Sequence, residues 1–98
     1  MTIVSRSPIL VWNEHNIQQT PDSTGVYVLR DPHQIIIYVG RTRAPRRLRE
    51  RILEHWSSRD VPGVSFFDWY QTDTEANAGS VEAEWIQRYQ PPYNVQGR

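Results

Sequence analysis

Two runs of apolar, largely β-branched residues on either side of a turn-forming tetrapeptide constrain the fold of this chain more than any other feature. The first run starts Gly25-Val26-Tyr27, the second ends Tyr38-Val39-Gly40, and Asp31-Pro32-His33-Gln34 lies between them. Segments of this composition that flank a turn are typical of two antiparallel strands. The pattern therefore predicts a β-hairpin with one tyrosine on each strand.

The hairpin allows two interpretations of these tyrosines. If both side chains face the same side, the hydroxyls of Tyr27 and Tyr38 converge on one small site. The alternative is that each is a core aromatic with a hydrogen-bonded tip, which is the commoner role of a strand tyrosine. The hairpin by itself favours the core role.

A dense group of arginines follows the second strand. Six of the eleven basic residues of the chain fall within residues 41–51. Because the whole chain is formally neutral, the local field here is positive and the remainder of the chain is acidic. The chain has no lysine, and the planar fork of arginine suits bidentate phosphate contacts; a genome biased toward arginine codons is the alternative explanation. The group comprises Arg41, Arg43, Arg46, Arg47, Arg49 and Arg51.

Length and composition limit the classes of protein that remain. With 98 residues we expect a single domain over residues 1–98, in which residues 1–24 form an N-terminal extension whose structure the pattern does not determine. The absence of cysteine excludes a disulfide framework and thiolate metal sites. No apolar run reaches membrane-spanning length and the N-terminus lacks the core of a secretion signal, so we expect cytoplasmic localisation without a membrane partner.

Hydrophobic periodicity and boundary residues predict the order β-β-α-β-α after residue 24. The predicted elements are strands at 26–30 and 35–39, a helix at 46–56, a strand at 64–71 and a helix from Thr74 to Tyr89. Thr74 is a suitable N-cap, and Pro91-Pro92 ends the second helix. Before them, residues 9–12 are compatible with a short strand and residues 13–18 with a helical turn. The expected fold class is α+β, a small three-stranded antiparallel sheet flanked by helices on one face.

The second helix carries a carboxylate on its apolar side. A helical projection places Glu82 within the apolar arc that contains Val81 and Trp85. An ionised carboxylate held against a core is costly unless it is paired, so this position needs a metal ion or an arginine. The alternatives are that Glu82 lies at the edge of the helix, or that its pair with an arginine is purely structural.

The first helix carries a row of basic and proton-active residues. Arg47, Arg51 and His55 follow one another at intervals of four along one border of the apolar stripe. A row of this kind is usually a solvated flank that covers the core with its methylene groups, and a catalytic role is the alternative. Asn94, after the second helix, is by itself an ordinary turn residue.

Taken together, these motifs resemble the GIY-YIG nuclease superfamily from about residue 25 to residue 94. Gly25-Val26-Tyr27 looks like the first signature motif and Tyr38-Val39-Gly40 like the second, with valine in place of isoleucine in each. Arg51 followed one helical turn later by His55 is similar to the family's arginine and its histidine or tyrosine. Several motifs in the family's order are far more specific than any one of them.

The C-terminal part gives the most specific match. Glu82 and the apolar helix that follows it resemble the family's metal-binding glutamate and its helix, and Pro92-Tyr93-Asn94 resembles the closing proline-tyrosine-asparagine. The segment before Arg51 is a few residues longer than in repair-type members, so Arg47 is an alternative match for the family arginine. We prefer Arg51 because only it has His55 one turn later.

The resemblance implies a metal-dependent endonuclease that hydrolyses phosphodiester bonds of DNA, with RNA left open as a substrate. Glu82 would bind one Mg²⁺ or Mn²⁺ ion, which stabilises the leaving oxygen. Arg51 would clamp a non-bridging phosphate oxygen. Arg41, at a position that is frequently lysine in the family, would contact the same phosphate and lower the pKa of the tyrosines; as an arginine it cannot act as a neutral base.

The same resemblance implies that a tyrosine activates the attacking water. Tyr27, with Tyr38 beside it, would position and deprotonate this water. A free phenol has a pKa of about 10, so the site must lower it or pass the proton onward to a group such as His55. The choice between the two tyrosines as general base stays open. Asn94 would orient its neighbours through its amide.

Two other classes of function fit parts of the pattern. The first is a catalytically inactive nucleic-acid-binding module with the same fold, in which we expect at least one of the family's site residues to be lost. The second is an interaction domain whose arginines bind an acidic protein, which predicts no salt-steep DNA binding. For the endonuclease, a single site predicts weak nicking, and double-strand cutting requires a second copy or a DNA-targeting partner protein.

Overall fold

The helices and strands of the chain follow the predicted order in the computed structural model, which describes residues 3–94. In chain order they are β1 (Ile3–Arg6), β2 (Leu10–Val11), α1 (Glu14–Gln18), β3 (Gly25–Arg30), β4 (Ile36–Arg41), α2 (Leu48–Ser58), β5 (Phe66–Thr72) and α3 (Glu75–Tyr89). The order β-β-α-β-α is confirmed from β3 to α3. The short strand and the helical turn considered before it are β2 and α1.

A single antiparallel sheet organises the described residues, with strand order β1-β5-β3-β4 and with β2 also paired to β5. The predicted hairpin is the β3–β4 pair, in which Tyr27 lies opposite Gly40 and Leu29 lies opposite Tyr38. The predicted fold class, α+β with a small antiparallel sheet flanked by helices, is confirmed. The sheet has more than the three expected strands, because the segment before residue 24 adds β1 and β2 along β5. β4 lies at the other edge of this sheet.

Alternate residues of β3 enter two separate cores. Tyr27 and Leu29 pack with residues of α1 and α2, whereas Val26 and Val28 pack with residues of α3. All four side chains are almost completely buried. The helices therefore cover both faces of the sheet, and the expectation that they share one face is wrong. Because successive side chains on a strand point to opposite faces, a β3 whose residues 26–29 are all apolar requires a cover on each face.

The N-terminal segment is part of the first core. Ile17 of α1 is fully buried, and Trp12 makes edge contacts with Trp56 of α2 and Phe67 of β5 at centroid distances of 5.5 Å. Edge-to-face packing of this kind adds to the area that the rings bury. The segment thus helps to fix α2 against the sheet.

The N-terminal ends of α2 and α3 have different caps. Thr74 is the N-cap of α3, as predicted, and its hydroxyl accepts a hydrogen bond from the Asn77 backbone N–H at 3.1 Å. α2 begins at Leu48, two residues later than predicted, with Arg47 as its N-cap. Among the described residues, no helix combines the length and the apolar character that crossing a bilayer demands.

Candidate active site

Three ring side chains from different elements meet on one face of the β3–β4 hairpin. The rings of Tyr27 and Tyr38 lie 6.3 Å apart between centroids, and the imidazole of His55 on α2 lies 5.4 Å and 5.1 Å from them. Both tyrosines therefore face the same side. Tyr27 is fully buried and Tyr38 is partly buried, so the pair combines a core position with a side chain that solvent reaches.

The glycine of the second motif makes room for the first tyrosine. A Cβ at Gly40 would lie 2.3 Å from Cζ of Tyr27 and 2.4 Å from its hydroxyl oxygen. Such distances are impossible, so the phenol can lie across β4 only because residue 40 has no side chain. Gly25 has a different reason: its Cβ would lie 2.2 Å from the Tyr70 carbonyl oxygen of β5. Each motif thus pairs a tyrosine with a glycine that the packing requires.

A hydrogen-bonded row joins Tyr27 to His55 and continues to Asp60. The Tyr27 hydroxyl lies 2.8 Å from His55 Nε2, and His55 Nδ1 lies 2.8 Å from a carboxylate oxygen of Asp60. Burial raises the pKa of Asp60, but hydrogen bonds from His55 and Ser58 outweigh it, and the pKa is lowered. An ionised carboxylate can only accept, so Nδ1 donates to Asp60; in the neutral imidazole Nε2 then accepts a hydrogen bond from the Tyr27 hydroxyl. Sequence reasoning missed Asp60.

The arginine of α2 lies beside the same phenol. Arg51 donates from its Nη2 to the Tyr27 hydroxyl at 3.4 Å and also pairs with Glu54. Arg47, the alternative match, is exposed and donates to the backbone carbonyl of Asp22 at 3.2 Å. The geometry thus supports Arg51 as the arginine of the site. The solvated-flank interpretation fails for His55, which is only 6% exposed.

The phenols of the site are harder to ionise than a free tyrosine. Burial raises the pKa of Tyr27, and the neighbouring Tyr38 and Glu82 raise it further, while Arg51 opposes them. Burial also raises the pKa of Tyr38, again against Arg51. The expectation that Arg41 lowers the pKa of the tyrosines is therefore wrong: both values rise, and the opposing cation is Arg51. Both phenols therefore keep their protons at neutral pH.

Glu82 approaches from α3 and is paired with an arginine. Its carboxylate lies 3.5 Å from Nε of Arg41, and both side chains are largely shielded from solvent. Burial raises the pKa of Glu82, and Arg41 and Arg43 oppose the rise. The guanidinium of Arg41 lies over Gly79, where a Cβ would be 3.2 Å from Nη1. The pair with an arginine that the sequence suggested is therefore present. The Glu82 carboxylate is also close enough to the two tyrosines to raise their pKa values.

The donor set at Glu82 suits a hard, strongly hydrated cation. Among residues 3–94, no group of three or more His, Cys, Asp and Glu side chains is arranged to hold a metal ion. Mg²⁺ is commonly held by only one or two carboxylates while it keeps several waters. A lone carboxylate beside two phenols therefore fits Mg²⁺ or Mn²⁺ and does not fit a fully protein-ligated zinc site.

Asn94 holds the backbone of the edge strand that carries Tyr38. Its side-chain oxygen accepts from the Val39 N–H at 2.7 Å, and its side-chain nitrogen donates to the Val39 carbonyl at 2.9 Å. In addition, the Tyr93 N–H donates to the Ile37 carbonyl at 3.1 Å. Asn94 thus acts on the site through the backbone between Tyr38 and Gly40.

The arginine group divides into inward, structural and exposed members. Arg41 and Arg51 point into the site, as described above. Arg49 donates to the Thr20 carbonyl at 2.8 Å and so ties α2 to the end of α1. The exposed members line the loop between β4 and α2 and the start of α2; they are Arg43, Arg46 and Arg47.

Comparisons with known proteins found similar domains. A sequence model of UvrC-like GIY-YIG domains matches residues 23–95. The chain is 36% identical over 89 residues to the UvrABC system protein C of Streptomyces coelicolor, covering 82% of this chain and 12% of that protein. It is 33% identical over 91 residues to that of Streptomyces avermitilis, covering 82% and 13%. The chain thus spans only a small part of the length of these relatives.

A solved structure is similar over most of its own length. The GIY-YIG N-terminal endonuclease domain of UvrC from Thermotoga maritima, bound to its catalytic magnesium ion, superposes with a TM-score of 0.71 at 25% identity. The match covers 83% of this chain and 93% of that domain. A point mutant of the same domain, bound to its catalytic divalent cation, gives the same TM-score.

Proposed function

This chain belongs to the family of UvrC-like GIY-YIG domains, and on that premise we propose that it is a metal-dependent endonuclease that hydrolyses phosphodiester bonds of DNA. The observation that carries the proposal is that Arg51 and His55 both contact the hydroxyl of Tyr27, with Glu82 nearby on α3. A base, a cation and a metal-binding carboxylate are the groups that phosphodiester hydrolysis requires.

Glu82 would hold the divalent ion, Mg²⁺ or Mn²⁺. The magnesium bound to the similar domain from Thermotoga maritima supports this choice, as does the single carboxylate of the site. When bound, such an ion supplies Lewis-acid stabilisation of the departing oxygen. Arg41 must then exchange part of its contact with Glu82 for the phosphate, which is also anionic.

Tyr27 is the general base of the proposed reaction. Its hydroxyl donates a hydrogen bond to His55 Nε2 and accepts one from Arg51 Nη2, which leaves one oxygen lone pair to accept from water. The attacking water loses a proton to Tyr27 while Tyr27 passes its own proton to His55. The water oxygen forms a bond to phosphorus, the bond from phosphorus to O3′ breaks, and O3′ takes a proton from solvent. Tyr38, at the more exposed position, orders the water.

The arginines stabilise the charge that grows on the phosphate. Arg51 is held by Glu54 with one Nη directed at the Tyr27 hydroxyl, so a phosphate attacked from this point lies within its reach. A preorganised donor of this sort is worth about 10²- to 10³-fold in rate. The exposed Arg43, Arg46 and Arg47 would contact flanking phosphates, which makes binding fall steeply with salt.

The most direct test compares two glutamates of α3. Wild type, Glu82→Gln and Glu84→Gln are incubated with labelled plasmid and branched DNA in Mg²⁺, Mn²⁺ or EDTA. Glu84 is exposed and pairs with Arg88, so it controls for the loss of one helix charge. We expect metal-dependent cleavage that Glu84→Gln retains and Glu82→Gln loses by about 10²-fold or more.

Two outcomes contradict the proposal. Equal cleavage by wild type and Glu82→Gln indicates a contaminating nuclease. Salt-dependent DNA binding without cleavage in either metal indicates the inactive binding module instead. An RNA substrate in the same assay distinguishes the two nucleic acids, and a titration of protein concentration shows whether double-strand cutting needs a second copy.

A further inference from the structure

The loop after α2 places a carboxylate on the far side of the buried imidazole. Arg59 ends the helix in the left-handed conformation, with φ 52° and ψ 38°, and its N–H donates to the His55 carbonyl at 2.9 Å. This turn directs the chain back toward α2. Asp60 therefore comes within 2.8 Å of His55 Nδ1 although it lies beyond the end of the helix.

We propose that Asp60 is a positioning residue for phosphodiester hydrolysis: it fixes His55 in the tautomer that accepts the Tyr27 proton and stabilises the imidazolium that results. This inference rests on the proposed function. It assigns a role to a residue outside the motifs of the family resemblance, on the basis of two consecutive hydrogen bonds from Tyr27 through His55 to Asp60.

The burial of His55 explains why the reaction needs a carboxylate there. The ring is 6% exposed, and both nitrogens are engaged at 2.8 Å. A buried cation is costly unless an opposite charge pairs with it. The other polar groups that face the ring, Tyr27 from β3 and Tyr38 from β4, have raised pKa values and stay neutral. The cation Arg51 lies across the Tyr27 hydroxyl, so Asp60 supplies the negative charge.

Asp60 also connects the buried ring to solvent. Its side chain is 54% exposed, in contrast to the ring that it contacts. After His55 has taken the Tyr27 proton on Nε2, the proton on Nδ1 can leave toward this carboxylate and the water around it. The Nε2 proton then returns to the Tyr27 oxygen as the phenol releases the proton taken from water to solvent, and Nδ1 regains a proton from the water around Asp60. One proton in total has left the row, which restores the neutral phenol and the Nδ1–H imidazole.

The test is a set of carboxylate substitutions in the full chain, read by kinetics and by NMR. Asp60→Asn keeps the shape but offers an amide that can donate to Nδ1, which moves the ring proton to Nε2 and removes the acceptor for Tyr27. We expect kcat on labelled plasmid in Mg²⁺ to fall about 10²- to 10⁴-fold, as when a catalytic histidine is held in the wrong tautomer. Asp60→Glu, which keeps the charge, should recover part of the lost kcat.

Three further readouts separate positioning from folding. The ¹⁵N chemical shifts of His55 should report a proton on Nδ1 in wild type and a shifted tautomer population in Asp60→Asn. The acidic limb of the pH profile of kcat should move to lower pH, because the charge that stabilises the imidazolium is gone. KM and thermal stability should stay close to wild type, as they should in Asp22→Asn, a control at an exposed loop aspartate.

The inference and the proposed function fail in different ways. If wild type cleaves and Asp60→Asn cleaves equally with an unchanged His55 tautomer, the role of Asp60 is refuted and the nuclease proposal stands. If the loss of activity is matched by unfolding and Asp60→Glu does not recover it, Asp60 is only structural. If wild type cleaves no nucleic acid, the proposed function itself is refuted.

Discussion

Replacing Gly40 by alanine tests whether the position of the Tyr27 phenol controls the reaction. The added Cβ would lie 2.3 Å from Cζ of Tyr27, whereas ordinary contacts begin at 3.4 Å. The ring must therefore move by about 1 Å, or β3 and β4 must separate by a similar amount. The ring is fully buried, so the surrounding core resists either change.

The magnitudes follow from this displacement. The hydrogen bond from Tyr27 to His55 Nε2 is 2.8 Å long, and a movement of about 1 Å removes it. A misplacement of about 1 Å at a reacting group costs about 10²-fold in rate. Overpacking a well-filled core costs about 1–3 kcal/mol in the free energy of unfolding. Gly40→Ala should therefore lose both stability and rate.

A double-mutant cycle with Tyr27→Phe separates the two losses. Phenylalanine keeps the ring that the Cβ strikes but lacks the hydroxyl that carries the proton. Urea unfolding should show the cost of Gly40→Ala in both backgrounds, because the steric conflict persists. Plasmid cleavage, measured well below the unfolding midpoint, should show the rate loss only when the hydroxyl is present. Equal rate losses in both backgrounds, or no rate loss in Gly40→Ala, would refute the reasoning.

Three other substitutions probe different parts of the site and core. Arg41→Ala removes the competitor for the Glu82 carboxylate, so Mn²⁺ affinity by calorimetry should rise several-fold while cleavage falls; unchanged affinity would show that the pair does not compete with metal. Asn94→Ala leaves the Val39 backbone groups unpaired and should cost about 1–3 kcal/mol in urea unfolding, a loss that Asn94→Gln should not repair because of its length. Burial and a bond to a buried aspartate raise the pKa of Tyr70 to about 12 from 10.0. A raised phenol pKa stabilises the fold below pH 10, and this contribution is lost as pH rises toward 12. After a discount for solvent exposure, the contribution to the free energy of unfolding is about 1 kcal/mol. Tyr70→Phe should abolish this pH dependence of unfolding.

The hairpin and the long helix could be predicted because their signals are local. β-branched residues around a turn determine β3 and β4, and Thr74 with Pro91-Pro92 bounds α3. β1 carries no such signal: three of its four residues are exposed, and it forms because β5 offers an open side. The second helical layer was also missed, although the uninterrupted apolar run of β3 indicates burial on both faces.

The site residues were predicted to different degrees. Tyr27, Arg51 and His55 are expected in the site only through the family resemblance, since the hairpin alone favours a core tyrosine and the helical row alone favours a solvated flank. The partner of Glu82 could not be predicted, since it depends on how α3 lies against β4, where Gly79 admits the Arg41 guanidinium. The contact of Asp60 with His55 could not be predicted for a related reason. It depends on the left-handed conformation of Arg59, which the sequence does not indicate.

The side-chain amide of Asn94 has a consequence for self-association. An open sheet edge recruits further strands from neighbouring molecules, which is a common route to aggregates. The Asn94 amide hydrogen-bonds both backbone polar groups of Val39, as a paired strand would, so that neither group is free at the sheet edge beside Tyr38. At this position, β4 therefore cannot pair with a strand of another polypeptide.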